Sequence, residues 1–223
     1  DYCPTKDLFL FYPDGIHEIE RHLRLVEFLA IEPKGTHLEF PLYKKDFEEY
    51  NNLPFFLEPK KYVCVHPGSR NKQRQWPPAH FAALANYCAE KGLAIVITGS
   101  ENEMDIIESV TRNLHQAPII AAGKTSIATV AILIKNALML ISNCTGVSHI
   151  AAAMETPSIV ISMDGEPERW APLNKKLHST IDWTKEPDHE RVMAVLHERL
   201  SHLQRDQALH PTIPTTSDHF GNS

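Results

Sequence analysis

The sequence lacks any apolar run that approaches the roughly 20 residues needed to cross a membrane as a helix. No secretory signal is recognisable at its start, where the first residue is Asp1 rather than Met. A processed chain or a fragment of a longer protein is therefore expected. Cysteine is also scarce: the four cysteines have no CxxC spacing, and Cys64 and Cys88 lie within apolar patterns typical of buried free thiols. These features favour the reducing cytoplasm.

Several motifs of known chemistry are absent as well. The sequence has no HExxH, no cysteine cluster and no EF-hand spacing, so no metal site is expected. It has neither the GxSxG elbow of hydrolases nor the GxxxxGK[ST] loop of P-loop proteins. Basic residues are outnumbered, with 22 Lys and Arg against 28 Asp and Glu and a net charge of −6. That balance argues against a nucleic-acid partner bound by a broad basic surface, but it does not exclude local basic pockets.

What the sequence does contain is a repeated strand–helix rhythm. Apolar residues make up 43% and charged residues 22%, as expected for a chain with a packed core. From residue 62 onward, continuous apolar runs alternate with helical periodicity, as in a parallel sheet covered on both faces. The pattern predicts a doubly wound, Rossmann-like α/β domain over residues 60–203. The predicted strands are 62–66, 93–98, 118–120, 137–141, 158–162 and 177–181, and the predicted helices lie around 81–88 and at 101–113, 126–135 and 188–203.

The two ends of the chain show different patterns. Residues 1–59 are predicted to be a linker region with one amphipathic helix over 17–30, where Ile19, Leu23 and Val26 recur at helical spacing. Frequent prolines between 32 and 60 limit that stretch to a linker with one short strand at 38–40. Residues 204–223 are rich in polar side chains and are predicted to be a disordered tail.

The turn at 142–149 is the first candidate site. An apolar strand ends there and an alanine-rich helix follows, so free backbone N–H groups and the helix dipole are expected to favour an anion. Thr145, Gly146 and His149 suit a phosphate, because they supply a hydroxyl, close backbone approach and an imidazole. The alternative is an ordinary strand-to-helix turn, with Thr145 as its N-cap and His149 on the surface.

A second candidate loop, 66–77, is expected at the same edge, because the carboxyl ends of parallel strands lie together. It gathers Arg70, Lys72 and Arg74, whose charges suit a diphosphate. A solvated basic loop is the alternative. Trp76 favours a loop that is anchored to the body of the fold, since tryptophan side chains are usually buried.

A third loop follows the second strand. Glu103 is a candidate ligand of ribose hydroxyls, a task that acidic residues perform in nucleotide-binding folds. Ser100 and Glu103 also have the spacing of a capping box, and Glu101 is the alternative ribose ligand. The segment 164–172, beyond the fifth strand, either walls the ligand cleft or forms a simple loop.

Taken in order, these segments resemble the bacterial heptosyltransferase family, the ADP-heptose–lipopolysaccharide glycosyltransferases. The resemblance covers residues 17 to about 172 and rests on His17-Glu-Ile-Glu-Arg, His66-Pro-Gly-Ser, Arg74-Gln-Trp-Pro, Gly99-x-x-x-Glu103, Asn143-x-Thr-Gly-x-x-His149 and Trp170-x-Pro172. It implies an inverting glycosyltransferase of the GT-B fold, in which two Rossmann-like domains face each other across a cleft. This chain matches the C-terminal, donor-binding half. The catalytic base is then implied to lie in an N-terminal half that has no counterpart here.

The resemblance also implies roles for individual residues. Arg74 stands where many members have a lysine that contacts the diphosphate, and Glu103 matches the ribose-binding carboxylate. The turn around Gly146 matches the one that holds the phosphates, with a protonated His149 implied to help stabilise the leaving diphosphate. The implied donor-binding residues are Ser69, Arg74, Glu103, Thr145, Gly146 and His149. One departure is Cys144, which replaces an Asp of many members and implies either a different donor sugar or weakened activity.

The same resemblance sets expectations for ligands and partners. No cofactor or metal is implied, since the nucleoside-diphosphate sugar, expected to be ADP-linked, is a substrate. The acceptor is expected to be a lipopolysaccharide core or another glycan. The implied location is the cytoplasm, at the inner face of the bacterial inner membrane, with peripheral contact through the N-terminal half. This chain alone is expected to bind donor without transferring sugar. The alternatives are a non-catalytic nucleotide-binding module and a sugar-nucleotide epimerase of similar architecture.

Overall fold

Six parallel strands form one sheet within residues 5–209, the part of the chain that the computed structural model describes. The strands are β1 (Tyr62–His66), β2 (Ala94–Ile97), β3 (Ile119–Ile120), β4 (Met139–Asn143), β5 (Ser158–Ser162) and β6 (His178–Asp182). Their order across the sheet is β3-β2-β1-β4-β5-β6, and every neighbouring pair is parallel. The chain winds outward from β1 in both directions, which is the order of a doubly wound nucleotide-binding fold. The predicted fold class is confirmed.

Helices cover both faces of this sheet. They are α1 (Glu18–Phe28), α2 (Lys44–Asn51), α3 (Pro78–Glu90), α4 (Met104–Thr111), α5 (Ile127–Asn136), α6 (Gly146–Ala153), α7 (Pro167–Trp170) and α8 (His189–Leu209). Short 3-10 turns lie at Lys72–Arg74 and Glu101–Glu103, in the loops after β1 and β2. None of the helices in residues 5–209 has both the length and the apolar character needed to cross a bilayer.

Alternate residues of each strand pack into two separate cores. Val65 and Ile97 pack with Phe81 of α3 and with residues of α4 and α8 on one face. Tyr62 and Cys64 pack with residues of α5 and α6 on the other. Because both faces are buried, the strands read as continuous apolar runs, which is why their positions were predictable.

The region before β1 differs from its prediction. No strand forms at 38–40, and α2, which was not predicted, begins just after it. The eight residues of α2 are mostly polar and lie between prolines, so their periodicity is weak. The helix is stabilised by a cap, in which Tyr43 N–H donates to Asp46 Oδ2 over 2.7 Å. Half-buried Leu42, Tyr50 and Leu53 then pack against the α5 and α6 core.

The C-terminal helix is longer than predicted. Residues 204–209, assigned to the disordered tail, continue α8 to Leu209. Gln207 Nε2 donates to Lys60 O over 3.1 Å, a long-range contact that holds this end of the helix against the segment just before β1. The rest of the predicted tail, 210–223, and the first four residues lie outside the described part of the chain. The segment 164–172, for which a simple loop was one of the two alternatives, contains α7.

Candidate functional site

A cavity of about 1140 Å³ lies at the carboxyl edge of the sheet, among the loops that follow β1, β2 and β4. Apolar side chains at the start of α5 and α6, among them Ile127, Val130 and Ile150, form one wall. Of the predicted donor-binding residues, the cavity is lined by Ser69, Arg74, Glu103, Thr145 and Gly146. The structure therefore brings together three loops that are distant in sequence. The part of each residue in binding a donor stays a prediction.

The turn into α6 presents unused hydrogen-bonding groups to this cavity. Thr145 occupies the N-cap position, but its side chain makes no cap bond and its hydroxyl only approaches Asn143 O at 3.5 Å. Gly146 is exposed, and a Cβ added there meets no atom within 4 Å. The first N–H groups of a helix have no partner within the helix itself. The hydroxyl and these N–H groups suit an anion.

The basic loop is held in place by Asn143, a residue to which the sequence analysis gave no role. Asn143 is fully buried at the end of β4. Its Oδ1 accepts from Trp76 N–H over 2.9 Å, and its Nδ2 donates to Pro67 O over 2.7 Å. One amide thus joins both ends of the loop to the turn before α6. The sequence signals were its place in the motif Asn143-x-Thr-Gly-x-x-His149 and a polar residue that follows a continuous apolar strand.

Trp76 anchors the same loop, as predicted. Its side chain is fully buried. The indole meets the rings of Phe81 and Trp183 edge-on, with centroids 5.1 and 5.2 Å away. Such a packed aromatic body fixes the path of the backbone on either side of it.

Arg74 reaches the cavity in an ion pair that the sequence did not reveal. Its Nε lies 3.4 Å from Asp164 Oδ2. Asp164 is itself held by Ser162, whose Oγ donates to Oδ1 over 2.8 Å. The segment after β5 therefore reaches the cavity only through the contact of Asp164 with Arg74, and none of residues 164–172 lines the cavity itself.

Cys144 lies beside the same pair and lines the cavity. Burial raises the pKa of its thiol to about 11, with Asp164 acting in the same direction and Arg74 in the opposite one. The thiol is therefore neutral near pH 7.

Glu103 forms the capping box and also faces the cavity, while its role toward ribose stays a prediction. Its Oε2 accepts from Ser100 N–H over 2.7 Å and from Ser100 Oγ over 2.8 Å, so the capping box forms. The same side chain lines the cavity, whereas the exposed Glu101 does not. Its carboxylate lies directly over Gly68, where a Cβ would stand 2.2 Å from Oε1.

Replacing Gly68 by Ala is expected to displace the Glu103 carboxylate, because the flexible end of a side chain moves more readily than backbone. The lost cap should lower the free energy of unfolding by about 1 kcal/mol. Urea denaturation measures this change in the free energy of unfolding. Gly146→Ala is the control, because a Cβ added at Gly146 meets no other atom within 4 Å. In a Glu103→Ala background the cap is already absent, so Gly68→Ala should then have almost no effect. Equal losses in both backgrounds would show that the clash is with the backbone instead.

His149 is the exception among the predicted site residues. It lines a neighbouring cavity of about 850 Å³ with Ile19, Phe40 and Leu173, and does not line the one described above. Burial lowers the pKa of its imidazole, and His17 lowers it further. A protonated His149 at the diphosphate is therefore not supported.

His17, which begins the first motif of the family resemblance, is the N-cap of α1. Its Nδ1 accepts from Ile19 N–H over 3.2 Å, and its Nε2 lies 2.8 Å from Ala171 O. Both bonds are structural.

Residues 5–209 also hold no group of three or more His, Cys, Asp or Glu side chains arranged to bind a metal ion.

Comparison with known proteins identifies related sequences. Residues 13–198 match the profile of glycosyltransferase family 9 (heptosyltransferase). The lipooligosaccharide heptosyltransferase 2 of Haemophilus ducreyi is 33% identical over 191 residues, covering 78% of this chain and 55% of that protein. The lipopolysaccharide core heptosyltransferase OpsX of Haemophilus influenzae is 24% identical over 164 residues, covering 73% of this chain and 47% of that protein.

Solved structures show the same fold. A family 9 glycosyl transferase from Veillonella parvula superposes with a TM-score of 0.73 at 16% identity, covering 86% of this chain and 62% of that one. An E. coli heptosyltransferase determined with ADP gives 0.63 at 19% identity, covering 85% of this chain and 59% of that one. This chain spans about half the length of the sequence relatives that it matches. Because the family profile matches most of its residues, the chain belongs to glycosyltransferase family 9, the heptosyltransferase family.

Proposed function

We propose that this chain supplies the donor site of a glycosyltransferase that transfers heptose from ADP-heptose to a lipopolysaccharide core. One observation carries the proposal: three loops whose side chains and N–H groups suit phosphate and ribose line one cavity in a family 9 fold. Relatives named heptosyltransferases and a structural neighbour determined with ADP support the choice of donor. The reaction is proposed to take place in the cytoplasm, with peripheral contact at the inner membrane.

Different parts of the cavity lining suit the diphosphate, the ribose and the base of ADP. The diphosphate would meet the first N–H groups of α6 and the side chains of Thr145 and Arg74. Glu103 would accept hydrogen bonds from the ribose hydroxyls. Ile127 is 60% exposed and, with Val130, offers an apolar wall to the planar base. Polar groups would thus fix the diphosphate and ribose, while apolar surface holds the base.

The proposed chemistry is an inverting transfer. A base removes the proton of the acceptor hydroxyl as that oxygen attacks the anomeric carbon and the nucleoside diphosphate leaves. Charge develops on the departing diphosphate, where Arg74 and the N–H groups at the start of α6 would stabilise it. Glu103 and Asp164 are held by Ser100 and Arg74 at this edge. The base is therefore proposed to come from outside residues 60–203.

A second candidate function is nucleotide binding without catalysis. Cys144 favours it, because a neutral thiol cannot orient a donor hydroxyl as a carboxylate does. Both candidates bind ADP, so turnover of ADP-heptose by the complete gene product separates them. Transfer to a truncated lipopolysaccharide core would exclude the second candidate.

ADP is expected to bind the chain with the same affinity in the presence and absence of EDTA, because no metal is proposed to take part in binding.

Glu103→Gln should weaken ADP binding about 10-fold or more, because the hydrogen bonds from the ribose hydroxyls to a charged acceptor are lost. The matched control is Glu101→Gln, two residues away and outside the cavity. Isothermal titration calorimetry measures the ADP affinity of the parent chain, with and without EDTA, and of the two variants. Equal affinities for both variants and the parent chain would remove Glu103 from the donor site.

A further inference from the structure

A row of polar side chains crosses the sheet at its carboxyl edge, on the face covered by α5 and α6. His66 pairs with Ser142 in the register of β1 and β4, and Thr98 directly follows Ile97, the partner of Val65. Thr98 and Ser142 are fully buried, and within residues 5–209 the Ser142 hydroxyl has no hydrogen-bond partner. A buried polar group without a partner is costly, so the hydroxyl of Ser142 beside His66, free among the described residues, indicates that this row can offer hydrogen bonds to a ligand.

The Thr98 hydroxyl fixes the tautomer of His66. Thr98 Oγ1 lies 3.0 Å from His66 Nδ1, and this is its only hydrogen bond among the described residues. A buried hydroxyl hydrogen needs an acceptor, and a neutral imidazole has one nitrogen that accepts and one that donates. Thr98 O–H therefore donates to Nδ1, which leaves the proton of the imidazole on Nε2.

The other ring nitrogen is open to the cavity. His66 lines the cavity with Ser69, Glu103 and Thr145. Its Nε2 has no hydrogen-bond partner within residues 5–209, yet it is not among the atoms sealed from solvent there. Burial lowers the pKa of His66 while the Glu103 carboxylate acts in the opposite direction, so the net effect favours the neutral ring.

We propose that His66 is a further donor-binding residue, whose Nε2–H donates to an oxygen of the bound nucleoside diphosphate. Thr98 is its positioning residue, since it acts only through the imidazole. The inference rests on the proposed function and extends it to a strand residue, not a loop residue. A fixed N–H donor loses little entropy on binding, in contrast to the flexible Arg70 and Lys72 side chains of the neighbouring loop.

The first test is spectroscopic and needs no ligand. Ring ¹⁵N shifts of the 223-residue chain should show His66 as the Nε2–H tautomer at neutral pH, with its signals identified by their absence in His66→Gln. Thr98→Val removes the hydroxyl at nearly constant volume and should mix the tautomers. Thr98→Ser restores the hydroxyl and should restore the Nε2–H form. A dominant Nδ1–H form in the parent chain would overturn the inference.

The second test is ADP affinity by calorimetry. His66→Asn places an amide near the position of Nδ1 but nothing at Nε2, and should weaken binding about 10-fold. Thr98→Val should weaken it about 3-fold, with rescue by Thr98→Ser, and thermal unfolding checks that each variant is folded. Unchanged affinity in both His66→Asn and Thr98→Val overturns this inference alone. Failure of the parent chain to bind ADP contradicts the proposed function itself.

Discussion

Asn143→Leu is expected to lower the free energy of unfolding by about 3–5 kcal/mol. Leucine keeps the branched shape of the asparagine side chain but replaces its polar atoms by methyl groups, so the loss comes mainly from the groups that it leaves without partners. Trp76 N–H loses its acceptor, and the carbonyls of Pro67 and Gly68 lose their donor. Each buried polar group left unsatisfied costs about 1–3 kcal/mol. Urea denaturation measures the change, and ADP binding should be lost with it because both ends of the basic loop are released.

Two further variants define what the amide does. Asn143→Asp keeps an acceptor for Trp76 N–H but turns a buried negative charge toward two carbonyl oxygens, so it should destabilise at least as much at neutral pH. Asn71→Ala is the matched control in the same loop, since its side chain is exposed and accepts only from Gln73 N–H. That change should stay below about 1 kcal/mol. If Asn143→Leu cost no more than Asn71→Ala, the loop would be held by Trp76 alone.

The strands and the meeting of three loops could be predicted because they follow from local pattern. Continuous apolar runs identify parallel strands, and parallel topology puts the loops after them at one edge. Thr145 and Glu103 therefore reach one cavity from sequence segments far apart, as the spacing predicts. The N-terminal helix was predictable from its apolar periodicity, and it is observed as α1.

Other features depend on long-range contacts that no local pattern encodes. The amide of Asn143 has partners 67 and 76 residues away, so its role appears only when the strands are assembled. Helix α2 is weak by periodicity and is stabilised by its packing on α5 and α6. His149 shares helix α6 with Gly146, yet it lines a different cavity from Gly146, Val147 and Ile150. Which cavity each side of a short helix meets depends on how the helix packs, and the local sequence pattern does not determine that.

Arg74→Ala is expected to weaken ADP binding about 100-fold, the largest effect of any single cavity residue. A charge-assisted bond to the diphosphate is worth about 1.5–3 kcal/mol, which corresponds to about 10–100-fold. The change also leaves Asp164 without its partner beside the bound anion, which adds repulsion. Arg74 is 43% exposed, so the ion pair itself contributes little to stability and folding should be preserved. Calorimetry at several salt concentrations measures the affinity, and the effect should shrink as salt rises.

Asp164→Asn is expected to act in the opposite direction and strengthen ADP binding about 2- to 5-fold. The carboxylate competes with the diphosphate for Arg74. At a partly exposed site, removing such a competing charge should improve the binding free energy by about 0.5–1 kcal/mol. The double variant should therefore bind ADP more tightly than Arg74→Ala alone, because no unpaired carboxylate remains. If Asp164→Asn weakened binding, the carboxylate would instead orient the guanidinium for the diphosphate.

The pKa of the Cys144 thiol reports on the charges of Arg74 and Asp164 in the absence of a ligand. Burial is the main cause of its raised pKa of about 11, with Asp164 raising the pKa and Arg74 lowering it. Asp164→Asn should thus lower the pKa of the thiol and Arg74→Ala should raise it. Alkylation rates at Cys144, mapped by mass spectrometry, should rise in the first variant and fall in the second, since the thiolate is the reactive form. Equal rates in both would show that the ion pair does not act on the turn before α6, and the predicted changes in ADP affinity would lose their electrostatic basis.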